Sequence, residues 1–261
     1  MRSIAIASGK GGVGKTNITV NLGLALARLG KKVIIVDADI VMANLGLTMG
    51  IDRSPISIHH VLMGEVDIKD AVYDGPEGVK YVPAGLSMSR LKRIDYQRLK
   101  DAIEDLAAMS DFVLVDNPSG LAQDSENALK SCKEVLIVTT PEPAALADAI
   151  KIKNQSDKNN INTVGVIYNM ATGDRDEIKL QDVETILEAK ALANIPLDLN
   201  VRKASSAQQP VLLKFPKTPF SRAMNDVALQ LIGEDAAPRK TTGKNALARL
   251  IEKLKKLLRL A

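Results

Sequence analysis

The run Gly9-Lys10-Gly11-Gly12-Val13-Gly14-Lys15-Thr16 fits G-x-x-x-x-G-K-[ST] in full. Glycines let a chain wrap closely around an anion, with backbone N–H groups pointing inward at phosphate oxygens. A helix that begins at Lys15 adds the positive end of its dipole. Lys15 is then placed to meet the β and γ phosphates of a nucleotide, and Thr16 to ligate Mg²⁺ through its hydroxyl. Carboxylates suited to the same chemistry follow apolar runs elsewhere. Val36-Asp37-Ala38-Asp39 offers two, which alternation along an extended chain puts on one side. A carboxylate in this place can orient water for in-line attack on a terminal phosphate. In Val115-Asp116-Asn117-Pro118-Ser119-Gly120, Asp116 suits the outer shell of Mg²⁺.

These residues need a scaffold that brings them to one place. Ile4–Ser8, Lys32–Val36, Lys80–Val82, Phe112–Val115, Glu134–Val138 and Thr163–Tyr168 are short apolar runs that predict strands. Lys15–Leu29, Asp95–Met109, Gln181–Ala189 and Ser221–Ile232 have helical periodicity. Strands that are apolar throughout, alternating with amphipathic helices, predict one doubly wound α/β domain: a mostly parallel sheet with helices on both faces. Ligands in such sheets bind beyond the carboxyl ends of the strands. Gly9, Asp37, Asp39, Asp116 and Asn169 all fall at predicted strand ends, so they converge on one rim.

Composition narrows the function classes. Hydrophobic residues are 46 % and charged residues 25 % of 261, as in soluble globular domains. Aromatics are 3 %, with no Trp, which argues against a stacking platform for single-stranded nucleic acid. One cysteine, Cys132, excludes an intrachain disulfide and fits a reducing cytoplasm. The start, Met1-Arg2-Ser3 before a short apolar strand, does not read as a signal peptide. No apolar run has the length of a membrane span, so any membrane contact is expected to be peripheral. His59-His60 is the one histidine pair, and sequence neighbours do not share a metal on a helix or strand.

The phosphate motif, with its extra lysine in Lys10-Gly11-Gly12-Val13-Gly14-Lys15-Thr16, resembles the deviant Walker A signature of the MinD/ParA family of P-loop ATPases, and the resemblance covers essentially the whole chain. It implies ATP sandwiched between two subunits, with Lys10 reaching across to the partner's phosphates. It implies that Asp39 orients the attacking water and that Asp37 lies near the metal. Asp116-Asn117-Pro118-Ser119-Gly120 is similar to the family's D-x-P-A-G, with Ser119 in place of Ala, and Gly120 offers an N–H to the γ-phosphate. Asn17 stands where a Thr is more usual. Asn169 occupies the family's adenine-contacting position, with Met170 in place of the usual Arg. Ile195-Pro196-Leu197-Asp198 resembles the base-side loop, which makes Pro196 and Asp198 nucleotide contacts. Iron–sulfur relatives need more cysteines than this chain has. The expected cofactors are ATP and Mg²⁺, and the expected activity is a slow ATP hydrolysis that an activating or effector protein stimulates.

The last residues form a separate unit. Residues 1–232 read as the ATPase domain, 233–243 (Gly-Glu-Asp-Ala-Ala-Pro-Arg-Lys-Thr-Thr-Gly) as a linker and 244–261 as an amphipathic helix. Residues 239–261 hold eight Lys and Arg against one acid, leaving 27 bases and 30 acids in the body. At about 100° per residue, Leu247, Leu250, Ile251, Leu254, Leu257 and Leu258 fall within an arc of about 120° that holds no charge. Leucines opposite lysines fit a helix lying in an anionic membrane interface. A helix docked on its own domain and a partner helix are the competing readings, and nucleic acid is the second candidate for a basic tail. The membrane helix resembles MinD-type members. ParA-type DNA partitioning and FlhG-type flagellar placement are the alternative roles. The first reading places the protein in the cytoplasm, reversibly at the inner face of the cell membrane, as a positional switch in cell division.

Overall fold

The computed structural model describes residues 1–40, 42–51, 54–85 and 95–233. The sequence-predicted linker beyond Gly233 and the amphipathic helix of 244–261 lie outside the described residues. Strands β1 (Arg2–Ala7), β2 (Val33–Asp37), β3 (Tyr73–Asp74), β4 (Lys80–Val82), β5 (Phe112–Asp116), β6 (Glu134–Thr139), β7 (Asn162–Ala171) and β8 (Ala191–Pro196) form one sheet. Its order is β3-β4-β2-β5-β1-β6-β7-β8, and every pairing is parallel except the short β3–β4 edge.

Alternation along the central strands divides the core into two. Ile4, Ile6, Leu114, Leu136 and Val138 face one side of the sheet. There they pack on α1 (Lys15–Arg28) and α10 (Pro219–Ile232) through Ile18, Leu22, Phe220 and Met224. Ala5, Ala7, Val113, Val115, Val135 and Ile137 face the other side. Their partners are α4 (Gln97–Met109), α5 (Gln123–Lys130), α6 (Pro143–Lys158) and α7 (Leu180–Leu187), through Leu99, Leu129, Leu146 and Val183. A strand buried on both faces has no polar side to show, which is why these runs are continuously apolar. Each Leu or Ile so buried contributes about 1.5–3 kcal/mol.

β4 has the expected bounds, the other expected elements differ by one to three residues, and strands β3 and β8 and helices α5 and α6 are additional. β3 has two residues. β8 is an edge strand with Ile195 as its one fully buried side chain, so its sequence carries little apolar signal. Pro196 therefore ends a strand where a loop was expected. Short helices α2 (Leu45–Met49), α3 (Ile58–Leu62), α8 (Leu199–Ser206) and α9 (Val211–Lys214) complete the described chain. Gly233, at φ 83°, caps α10 in the left-handed region.

Candidate functional site: a phosphate loop at the carboxyl rim

The loop from Gly9 to Gly14 joins β1 to α1 at the carboxyl ends of the parallel strands. Gly12 (φ 79°) and Gly14 (φ 97°) hold left-handed backbone that side chains rarely adopt. Gly9 is required by space: a Cβ there would lie 2.5 Å from Asp148 Cβ and 2.8 Å from the Asp148 carbonyl on α6. Val13 is buried under the loop, and Gly14 precedes the first helical bond, Ile18 N–H to the Gly14 carbonyl at 3.0 Å. Around Gly12, Gly14, Lys15 and Thr16 opens a cleft of about 420 Å³, also lined by Asn17, Asp39, Asp116, Asn117, Ser119 and Met170.

Lys15 is 7 % exposed and donates to Ser8 Oγ (3.0 Å) and Ser119 Oγ (2.6 Å). Burial lowers its pKa, and the charges of Asp116 and Asp39 pull it back up. Thr16 Oγ1 donates to Asp116 Oδ2 at 2.6 Å, and Thr19 Oγ1 reaches Asp116 Oδ1 at 3.3 Å. Asp37 and Asp116 are register partners at the ends of β2 and β5, both buried. Burial pushes both carboxyls up, Asp37 well above its ordinary value and Asp116 to about 6. Each also feels neighbouring negative charge: Asp116 and Asp39 raise Asp37, and Asp39 raises Asp116. Two carboxylates kept from water beside a hydroxyl are a donor set suited to a hard cation.

Asp39 lies just beyond β2 and is half-buried. Its N–H donates to Asp37 Oδ1 (3.1 Å), and its own Oδ1 accepts from Met42 N (2.9 Å). Asp37 Oδ2 accepts from Leu45 N at the start of α2. Asp39 thus faces the cleft while Asp37 is turned to the backbone behind it. Lys10 forms an ion pair with Glu142, the residue before α6. Gly120, at φ 92°, donates its N–H to the Ser8 carbonyl at 3.2 Å, so the β5 loop is tied to the phosphate loop.

Asn169 is buried, and its Nδ2 donates to the Val13 carbonyl at 2.8 Å, bracing the loop from beneath. Met170 follows in left-handed backbone (φ 61°), where the β7–β8 register slips, and lines the cleft. Asp198 caps α8, accepting from Asn200 N at 2.9 Å. Pro196 is exposed at the end of β8. Neither Pro196 nor Asp198 lines the cleft. Ser8, Thr19, Asn44, Leu47, Thr48 and Ser205 belong to the site, and the sequence alone does not point to them. Ser8, directly before the loop, is the one that the motif's position signals. Asn17 meets Ser205 at 3.5 Å across the cleft.

Comparison with known proteins agrees with this geometry. Residues 1–232 match the family model ParA, described as NUBPL iron-transfer P-loop NTPase. An ATP-binding protein of Methanocaldococcus jannaschii is 38 % identical over 231 residues, 88 % of each chain. The chain belongs to the ParA/MinD family of P-loop NTPases. Antiactivator FleN of Pseudomonas aeruginosa is 32 % identical over 264 residues, covering 96 % of this chain and 92 % of its own. Among solved structures, the septum site-determining protein MinD of Pyrococcus horikoshii, complexed with Mg-ADP, superposes with a TM-score of 0.84 at 33 % identity, covering 88 % of this chain and 95 % of that one. The Mg-ADP of that neighbour and the family match make ATP and Mg²⁺ the cofactors of this chain. The chain's one cysteine, Cys132, is buried with its pKa pushed up to about 12, so it offers no ready thiolate for the iron transfer named in the family description.

Proposed function

We propose that the protein is an ATP hydrolase that works as a positional switch, pairing with a second copy on ATP and anchoring to anionic membrane through residues 244–261. The observation that carries the reading is the cleft itself, where Lys15, Thr16, Asp39 and Asp116 from three strand ends surround the phosphate loop. Lys15 would neutralise the β and γ phosphates. Asp39 would orient the attacking water, being the carboxylate that faces the cleft. Thr16, with Asp116 and Asp37 behind it, would hold Mg²⁺, which supplies charge neutralisation on the phosphates. Lys10 would exchange its Glu142 partner for the phosphates of the second subunit.

Exposed apolar side chains support pairing at this rim. Met42 and Leu47 follow β2, Leu121 follows β5, and Leu197 and Leu199 follow β8, each 41–68 % exposed. All five follow the carboxyl ends of parallel strands, the rim at which the cleft lies, and Leu47 lines the cleft itself. Two copies joined there carry two tails. One tail binds weakly because a lone short helix is unstable in water, and two on one body bind far better. Each lysine near anionic lipid contributes about 1 kcal/mol, and buried leucines add to this.

The test is vesicle sedimentation of the full chain, of a truncation after Gly243 and of Leu254→Glu, each with ADP and with ATP. Only the full chain with ATP is expected to sediment. Equal binding by all three proteins would refute the anchor, and equal binding with ADP and ATP would remove the switch. The match to an antiactivator, which extends over 96 % of the chain, supports a regulatory role as a second reading, and flagellar placement with the same site and tail is the form of it to test. Partner capture with ATP-locked protein separates the two roles. Sedimentation with DNA in place of vesicles tests the partitioning alternative.

A further inference from the structure

The two hydroxyls that hold Lys15 are not equivalent. Ser8 is buried, accepts from Lys15 Nζ at 3.0 Å and spends its own proton on the Lys10 carbonyl at 2.7 Å. Ser119 accepts from the same ammonium at 2.6 Å, but it is exposed and lines the cleft. Its hydroxyl proton has no acceptor among the described residues. Ser8 is therefore a saturated structural group, and Ser119 is half used: its oxygen is fixed by a cation and its proton is free to point at whatever anion fills the cleft. A lysine that donates to a hydroxyl oxygen polarises the O–H and strengthens it as a donor.

The loop that carries Ser119 is held at its base and not at its tip. Asn117 Nδ2 donates to the Pro118 carbonyl (3.1 Å) and to Ser125 Oγ (2.9 Å), and Ser125 Oγ donates to the Gly120 carbonyl (2.9 Å). Gly120 N–H is already engaged with the Ser8 carbonyl. The side chain of Ser119 is thus a donor that an incoming phosphate meets without first breaking a backbone bond.

We propose that Ser119, through its hydroxyl, is a specificity-determining contact that prefers a nucleoside triphosphate over a diphosphate, its oxygen held by Lys15 and its proton given to a terminal phosphate oxygen. The assignment rests on reading the cleft as an ATP site and adds the residue that senses the third phosphate. An alanine here would leave Lys15 with Ser8 alone and would offer the phosphate nothing.

The experiment measures Kd for Mg-ATP and Mg-ADP by competition with a fluorescent nucleotide, using the full chain, Ser119→Ala and Ser119→Thr. The quantity read is the ratio of ADP to ATP dissociation constants. A general loosening of Lys15 moves both constants together and leaves the ratio alone. Loss of a hydrogen bond to a charged oxygen moves ATP only, so Ser119→Ala is expected to lower the ratio about tenfold. Ser119→Thr keeps a hydroxyl and is expected to retain the wild-type ratio. Melting temperatures of the three proteins check that each is folded at the temperature of the binding measurement. An unchanged ratio in Ser119→Ala beside a wild type that binds both nucleotides overturns this assignment alone. A wild type that binds neither overturns the ATP reading and this assignment with it.

Discussion

Replacing Asp116 with Asn is expected to stabilise the nucleotide-free protein at neutral pH while removing its response to Mg-nucleotide. In the unfolded chain this carboxyl titrates near 3.8, and in the fold burial raises it to about 6. Between those two values the folded form holds a proton that the unfolded form has lost, so stability falls as pH rises through the window. Below 3.8 the group has no differential effect; above 6 it carries its full cost, about 3 kcal/mol for a rise of this size. Asn cannot ionise and escapes that cost. It also replaces one oxygen acceptor of Thr16 and Thr19, a loss of about 1 kcal/mol where the hydroxyls reorient to accept from the amide. The net gain is about 2 kcal/mol at about pH 7.5 and turns into a net loss of about 1 kcal/mol near about pH 4. Urea unfolding in EDTA at the two pH values reads it directly. The same variant should show no Mg²⁺-dependent gain in stability from ATP. Asp116→Asn no more stable than wild type at the higher pH, or a difference that ignores pH, would refute the electrostatic account of this pair of acids.

Three further outcomes follow from the same geometry. Lys15→Ala removes the one ammonium buried at the loop, and calorimetry is expected to detect no ATP binding; unchanged affinity would sink the phosphate-loop assignment. Asp39→Ala keeps Lys15 and the loop, so ATP binding is expected to persist while phosphate release stops, leaving an ATP-bound dimer by light scattering; continued turnover would remove Asp39 from its role. Gly9→Ala drives a Cβ into the Asp148 backbone, which α6 holds in place. It is expected to cost about 1–3 kcal/mol in urea unfolding and to weaken nucleotide binding with it; wild-type stability would show that the loop and α6 separate easily.

The central sheet was legible because its strands are buried on both faces and end in residues whose chemistry is out of place in a core. Asp37 and Asp116 close two such runs, and the register puts them side by side. The glycine loop was legible because its function depends on local backbone, which sequence specifies directly. What was hidden is tertiary. Nothing in Asn169 announces that its amide turns to the Val13 carbonyl, 156 residues away. The Lys15–Ser119 bond spans 104 residues, and Ser119 read from sequence is only a small residue where alanine would also fit. Pro196 and Asp198 are likened to nucleotide contacts by family resemblance alone, and the cap that Asp198 supplies to α8 depends on where β8 stops.

The sheet order has a consequence for how the chain is made. β1 precedes β2 to β4 in the chain, yet its neighbours are β5 and β6; Ile4 pairs with Leu114 on one side and with Glu134 on the other. A ribosome must deliver the chain through β6 before β1 has both partners. Until β5 emerges Ile4, Ala5, Ile6 and Ala7 have no strand to pair with, and until β6 follows one edge of β1 stays open. Such non-local closure folds slowly and leaves apolar edges open to other chains. Nascent chains stalled before β6 are therefore the aggregation-prone species. Nucleotide can assist folding only after the last central strand has emerged.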